Sequence, residues 1–107
     1  MALRSITLSN ISQPLFTSVG TNAITVIYIC NAGSTSVQFN LFAVPSGNVV
    51  SMNNVIYAGV ALTTNDTYVI DTEKIILENG DAIHANLVVP AMTNAVKVIA
   101  TVSTIEV

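Results

Sequence analysis

From Thr35 to Val44 the side chains alternate with a period of two. Val37, Phe39, Leu41 and Ala43 fall on one side, and Gln38, Asn40, Phe42 and Val44 on the other. That is the repeat of a β-strand, and it is incompatible with the single apolar stripe of a helix. The second side turns apolar towards Val44, as it does where a strand runs under cover. From Ala23 to Asn31 both sides are largely apolar, which predicts a central strand covered on each face. β-Branched residues dominate such stretches: valine and isoleucine fill 27 of the 107 positions, and their stiff side chains favour extended backbone.

The same reading extends along the chain. Leu3 to Leu8 and Gln13 to Val19 read as strands. Ser46 to Leu62 contains Gly47, the Asn53-Asn54 pair and Gly59, predicting a loop and one irregular strand. Thr67 to Asp71 and Lys74 to Glu78 are short strands separated by Thr72-Glu73. The Asn79-Gly80 turn leads into Asp81 to Val89, where Ile83, Ala85, Leu87 and Val89 share one face and Ala82, His84, Asn86 and Val88 the other. Pro90 closes that strand by removing a ladder donor. In the last strand, Ala95 to Val107, the apolar set shifts by one residue near Ser103, predicting a bulge or a change of sheet. Asn31-Ala-Gly33-Ser-Thr35 reads as a turn with Gly33 at positive φ, so its flanking strands are expected to form a hairpin. No capped helical stripe occurs. Eight or so strands at roughly ten-residue intervals predict one antiparallel sandwich or barrel, with residues 1–12 as an arm or edge strand.

Chemistry is sparse. Cys30 stands alone, so no internal disulfide forms, and its apolar run predicts a buried, inert thiol suited to a reducing cytoplasm. A secretory signal is not expected, and the densest apolar stretch, Ala23 to Cys30, is too short to cross a bilayer as a helix. His84 has neither zinc co-ligands nor a catalytic partner in sequence, since Asp81 lies too near on the same strand to orient it. No nucleophile elbow, phosphate loop or dinucleotide fingerprint occurs, so neither an enzyme nor a cofactor is expected. Asp66, Asp71, Glu73, Glu78 and Asp81 gather five of the six acids. They read as solvated loop ends, with a Ca²⁺ site as the alternative. The absence of tryptophan weakens a glycan-binding module.

The charge count carries more. An average chain of this length would hold about 27 ionised residues, whereas this one holds three basic and six acidic. So few cations argue against a nucleic-acid partner, whose phosphates need Lys and Arg. The exterior is left to Ser, Thr, Asn and aliphatic side chains, a surface that favours association. The expectation is a permanent symmetric assembly, as a dimer, a trimer or a lattice component.

The stretch Ile24-Thr-Val-Ile-Tyr-Ile-Cys-Asn-Ala-Gly-Ser-Thr-Ser-Val-Gln-Phe-Asn-Leu-Phe-Ala-Val-Pro-Ser-Gly47 resembles a segment of small virion proteins of tailed bacteriophages. Asn65 to Asp71, Lys74 to Ile83 and the closing strand are similar to the remainder of that pattern. The resemblance implies a jelly-roll-like sandwich, with an immunoglobulin-like sandwich as the alternative. It also implies a non-enzymatic capsid cement or decoration subunit that bridges capsomers. A tail, neck or fibre module is the second reading, and a small glycan- or Ca²⁺-binding module the third. The partners would be the major capsid protein or other virion proteins, and the place of assembly the host bacterial cytoplasm.

Overall fold

Hydrogen bonding in this chain is nested. The computed structural model describes residues 2–71, 75–89 and 91–107. Strands β4 (Val37–Val44) and β5 (Val55–Leu62) form the innermost antiparallel pair. Around them β3 (Asn22–Asn31) pairs with β6 (Thr67–Ile70) and then with β7 (Ile75–Leu77). Further out, β2 (Gln13–Thr17) pairs with β8 (Ala82–Val88), and β1 (Ala2–Thr7) with β9 (Val98–Glu106). Rolling this long hairpin up adds the β3–β9 and β4–β8 ladders and closes two sheets. The orders are β1-β9-β3-β6, with β7 continuing beside β3, and β2-β8-β4-β5. That is a jelly-roll sandwich. The immunoglobulin-like alternative fails because its first two strands are neighbours, whereas here β1 and β2 lie in different sheets.

Pairing therefore departs from one expectation. β3 and β4 are not a hairpin, since they belong to opposite sheets. Asn31 turns the chain across the sandwich: buried completely, its Nδ2 donates to Thr35 O at 2.9 Å and Leu62 O at 3.0 Å. Its Oδ1 accepts from Gly33 N at 3.0 Å. Gly33 is not at positive φ. A Cβ there would lie 2.3 Å from Ala95 O and 2.7 Å from Lys97 N, so close backbone approach is what requires glycine. The Asn79-Gly80 turn does place Gly80 at φ 90, and it too joins strands of different sheets.

The core lies between the sheets, with Phe39, Leu41, Ile83, Ala85 and Leu87 from one side and Ile24, Ile27, Ile29, Val98, Ala100 and Val102 from the other. Phe39 meets Tyr68 edge to face, ring centroids 5.5 Å apart. The second face of β4 becomes buried at Phe42 and Val44, as its pattern predicts. The irregular strand is β5, which shifts register twice against β4 and follows a single 3-10 turn, Met52–Asn54. The bulge expected near Ser103 lies at that level but in the partner: Ile24 and Val26 face Thr104 and Ser103, leaving Thr25 extra. Strand β9 keeps its phase against β1, so the inward position is taken by buried Thr104, and Ile105 belongs to the opposite face. Residues 72–74 and Pro90, assigned roles above, lie outside the described residues.

Candidate functional site

Strand β3 is central laterally, yet its second face is open. Val26 and Cys30 are half-buried and Tyr28 is exposed, so Cys30 borders the surface instead of the core. Register extends this face across its sheet. Leu3 aligns with Ser103, Ser5 with Thr101 and Thr7 with Ile99. Tyr28 aligns with Thr101 and Val69, and Ala23 with Ile105 and Ile76. Leu3 (72% exposed), Ile76 (56%), Val69 (46%) and Tyr28 (41%) are its prominent apolar side chains. Between them run hydroxyls, with Ser5 Oγ and Thr101 Oγ1 hydrogen-bonded at 2.9 Å. No described residue in the ladders of this face is ionised, and exposed Asp71 follows directly at its β6 edge.

The outer face of the other sheet is also free of charge among its described residues, but it is amide-rich. Asn40 Nδ2 donates to Asn86 Oδ1 at 3.1 Å, and Gly59 N donates to Asn40 Oδ1 at 2.8 Å. These asparagines, with Asn10, Leu87, Val88 and Val89, line an open cleft of about 540 Å³. His84 stands between Pro14 and Phe42 on the same face. Its Nδ1 is buried with no hydrogen-bond partner, and burial holds the imidazole below its ordinary value of 6.5. The folded protein therefore resists protonation. As pH falls through that ordinary value the unfolded chain takes the proton first, and stability declines until the folded imidazole also titrates. The decline is modest for a partly solvated ring. Urea unfolding followed from about pH 8 to pH 5 should show it, and His84→Gln should flatten it.

Most charged residues sit on the two ends of the sandwich. Asp66 and Lys97 flank the Asn31 end of β3, where Asp66 O accepts from Asn31 N and Lys97 O from Ala32 N. Glu78, Asp81 and Glu106 lie at the Asn22 end, Glu106 aligned with Asn22 itself. Asp71 follows β6, and Arg4 is in the edge strand β1. The acidic run of the sequence is thus split over the length of β3, about 30 Å at 3.3 Å per residue. Asp66 and Asp81 both accept from backbone N–H groups. Asp66 accepts from Thr67 N at 3.0 Å, while Asp81 accepts from Ser46 N at 2.9 Å and Glu78 N at 3.0 Å. No group of three or more potential metal ligands gathers among the described residues. Nor, among them, is any helix long and apolar enough to cross a membrane. Glu73, the remaining acid of the sequence cluster, lies outside the described residues.

Composition announced the scarcity of charge, but not that the described charges fall at the two ends and along the lateral edges. That placement needs the register of every strand. No family model, curated protein or solved structure matches the chain.

Proposed function

We propose that the protein is a non-enzymatic virion structural subunit, a cement or decoration protein that bridges neighbouring capsomers of a tailed-phage capsid. The observation that carries this reading is the pair of sheet faces whose described ladder residues include no ionised side chain, one of them studded with Leu3, Tyr28, Val69 and Ile76. Apolar patches beyond a few hundred Å² characterise protein contacts. Such contacts, unlike charge-steered ones, hold their strength at high salt. The jelly roll is an architecture used by viral capsid domains, and the sequence resemblance points to the same class of particle. Fold alone does not confer function; the two faces carry the reading.

In this reading the partners are the major capsid protein and further copies of the chain, and the site is the virion. Heads stripped of the subunit should release their DNA at a lower temperature than complete heads, and adding back the purified protein should restore resistance. Leu3→Lys combined with Tyr28→Lys should bind such heads far more weakly. Equal heat resistance with and without the protein, or its recovery with detached tails, removes the cement reading.

A further inference from the structure

We propose that strand β1 is a self-pairing edge, through which two copies of the chain join antiparallel across a two-fold axis at Ser5. The inference deepens the self-association in the reading above by naming the surface and the partner, and it rests on how the four sheet edges differ.

An open sheet edge is a template for another strand unless something blunts it. Three of the four edges here are blunted. Strand β2 has five residues, includes Pro14 and shifts register between Pro14 and Phe16. Strand β5 carries two register shifts and Gly59 at φ 60. The edge beyond β3 is divided between β6, of four residues, and β7, of three. Strand β1 has no proline, register shift or break: its six residues, with Arg4 the one charge among them, pair with β9 in unbroken register from Ala2–Thr104 to Thr7–Ile99.

The free backbone groups on β1 follow from that register. Leu8 N donates to Val98 O at 2.8 Å, in line with the β1–β9 ladder. Bonded and unbonded positions alternate along an antiparallel pair, so Ala2, Arg4 and Ile6 use their backbone groups on β9. Leu3, Ser5 and Thr7 direct theirs outwards. A two-fold axis at Ser5 sets Leu3 opposite Thr7 of the second copy and Ser5 opposite its own mate. Each of these pairs then exchanges both N–H···O bonds.

A second copy fits this edge because the strand is compatible with itself. The directly opposed residues are Leu3 with Thr7, Ser5 with its mate, and Arg4 with Ile6, so no like charges are directly opposed and the two Arg4 side chains meet only at the diagonal spacing of about 7–8 Å. Pairing also joins the two outer faces into one continuous sheet surface, with the exposed Leu3 covered beside Thr7.

The test uses Ser5→Pro and Leu3→Pro, which remove outward N–H groups that the monomer does not use; proline is tolerated at such edge positions. Light scattering coupled to size exclusion should give the dimer mass for the wild type and the monomer mass for both variants. Circular dichroism should show their strand content unchanged. In a Cys30→Ser background, Ser5→Cys should oxidise to a self-linked dimer, because paired Cα atoms about 5.5 Å apart suit a disulfide. Thr7→Cys, offset from its own mate, should not. A wild-type monomer or trimer overturns the proposal. So does a Ser5→Pro protein that folds and keeps the dimer mass, although self-association would then stand through another surface. Monomeric proline variants together with heads indifferent to the protein would sink the cement reading and leave the edge assignment intact.

Discussion

Replacing Gly33 by alanine is expected to lower the thermal midpoint by about 15–25 °C, read by circular dichroism. The new Cβ would sit 2.3 Å from Ala95 O and 2.7 Å from Lys97 N, and both obstacles are backbone atoms. A flexible side chain could swing aside; these cannot without moving the segment that leads into β9. That movement threatens the bonds from Ala32 N to Lys97 O and from Ser34 N to Ala95 O, 2.8 and 2.9 Å long. Overpacking costs about 1–3 kcal/mol, and each of the two lost hydrogen bonds about 1 kcal/mol, so a total of about 3–5 kcal/mol follows. Gly47→Ala is the internal comparison. That residue has φ 84 with nothing within 4 Å of a new Cβ, so only the left-handed backbone opposes the change, at about 1–2 kcal/mol. Equal losses at the two glycines would refute the steric account of Gly33.

Asn31→Ala should cost about 2–4 kcal/mol, measured as a fall in the urea midpoint at unchanged slope. The Asn31 side chain holds three backbone groups from three places: Gly33 N, Thr35 O and Leu62 O. Truncation leaves them without their partner, and Leu62 O is in a buried bond that water replaces poorly. Asn31→Asp should be worse at neutral pH. It keeps the acceptor for Gly33 N but sets a carboxylate oxygen against the two carbonyl oxygens that Nδ2 now serves. The Asn31 backbone continues the same junction, its N donating to Asp66 O and its O accepting from Asn65 N, at 2.9 and 2.8 Å. One residue therefore ties the β3–β4 corner to the β5–β6 turn. An aspartate variant as stable as the wild type would contradict this account.

These two residues also mark where the sequence was and was not legible. That Ala23–Asn31 and Thr35–Val44 are strands follows from local alternation, which each stretch carries within itself. Which strands pair does not. Strands adjacent in sequence are neighbours about two-thirds of the time, and the Asn-Ala-Gly-Ser-Thr segment looks like a tight turn. The rolled topology breaks that habit at β1–β2, β2–β3 and β3–β4, sending each successive strand to the opposite sheet. Gly33 was recognisable as special but for the wrong reason, because the chain that crowds it lies about sixty positions later. The shift of apolar phase near Ser103 marked a true irregularity, although the extra residue, Thr25, belongs to the facing strand.

The candidate surface divides in the same way. Its lack of charge could be counted from composition. Its extent required knowing that Tyr28, Val69, Leu3 and Ile76 come to one face from four different strands. The split of the acidic run was hidden likewise: Asp66 and Asp81 are 15 positions apart in the chain, yet a whole β3 separates them in space.

The nested order of the strands has a consequence for synthesis. The innermost hairpin, β4 with β5, closes early and locally, while β1 waits for β9. Closing so wide a loop comes late and slowly, as in other proteins built on distant contacts. Until it does, the emerging polypeptide carries an unpaired first strand through the translating cell, so meeting another nascent copy competes with finishing the fold. The strand that joins mature subunits would then be the one most exposed to premature joining, and the rate of translation would set how often that happens.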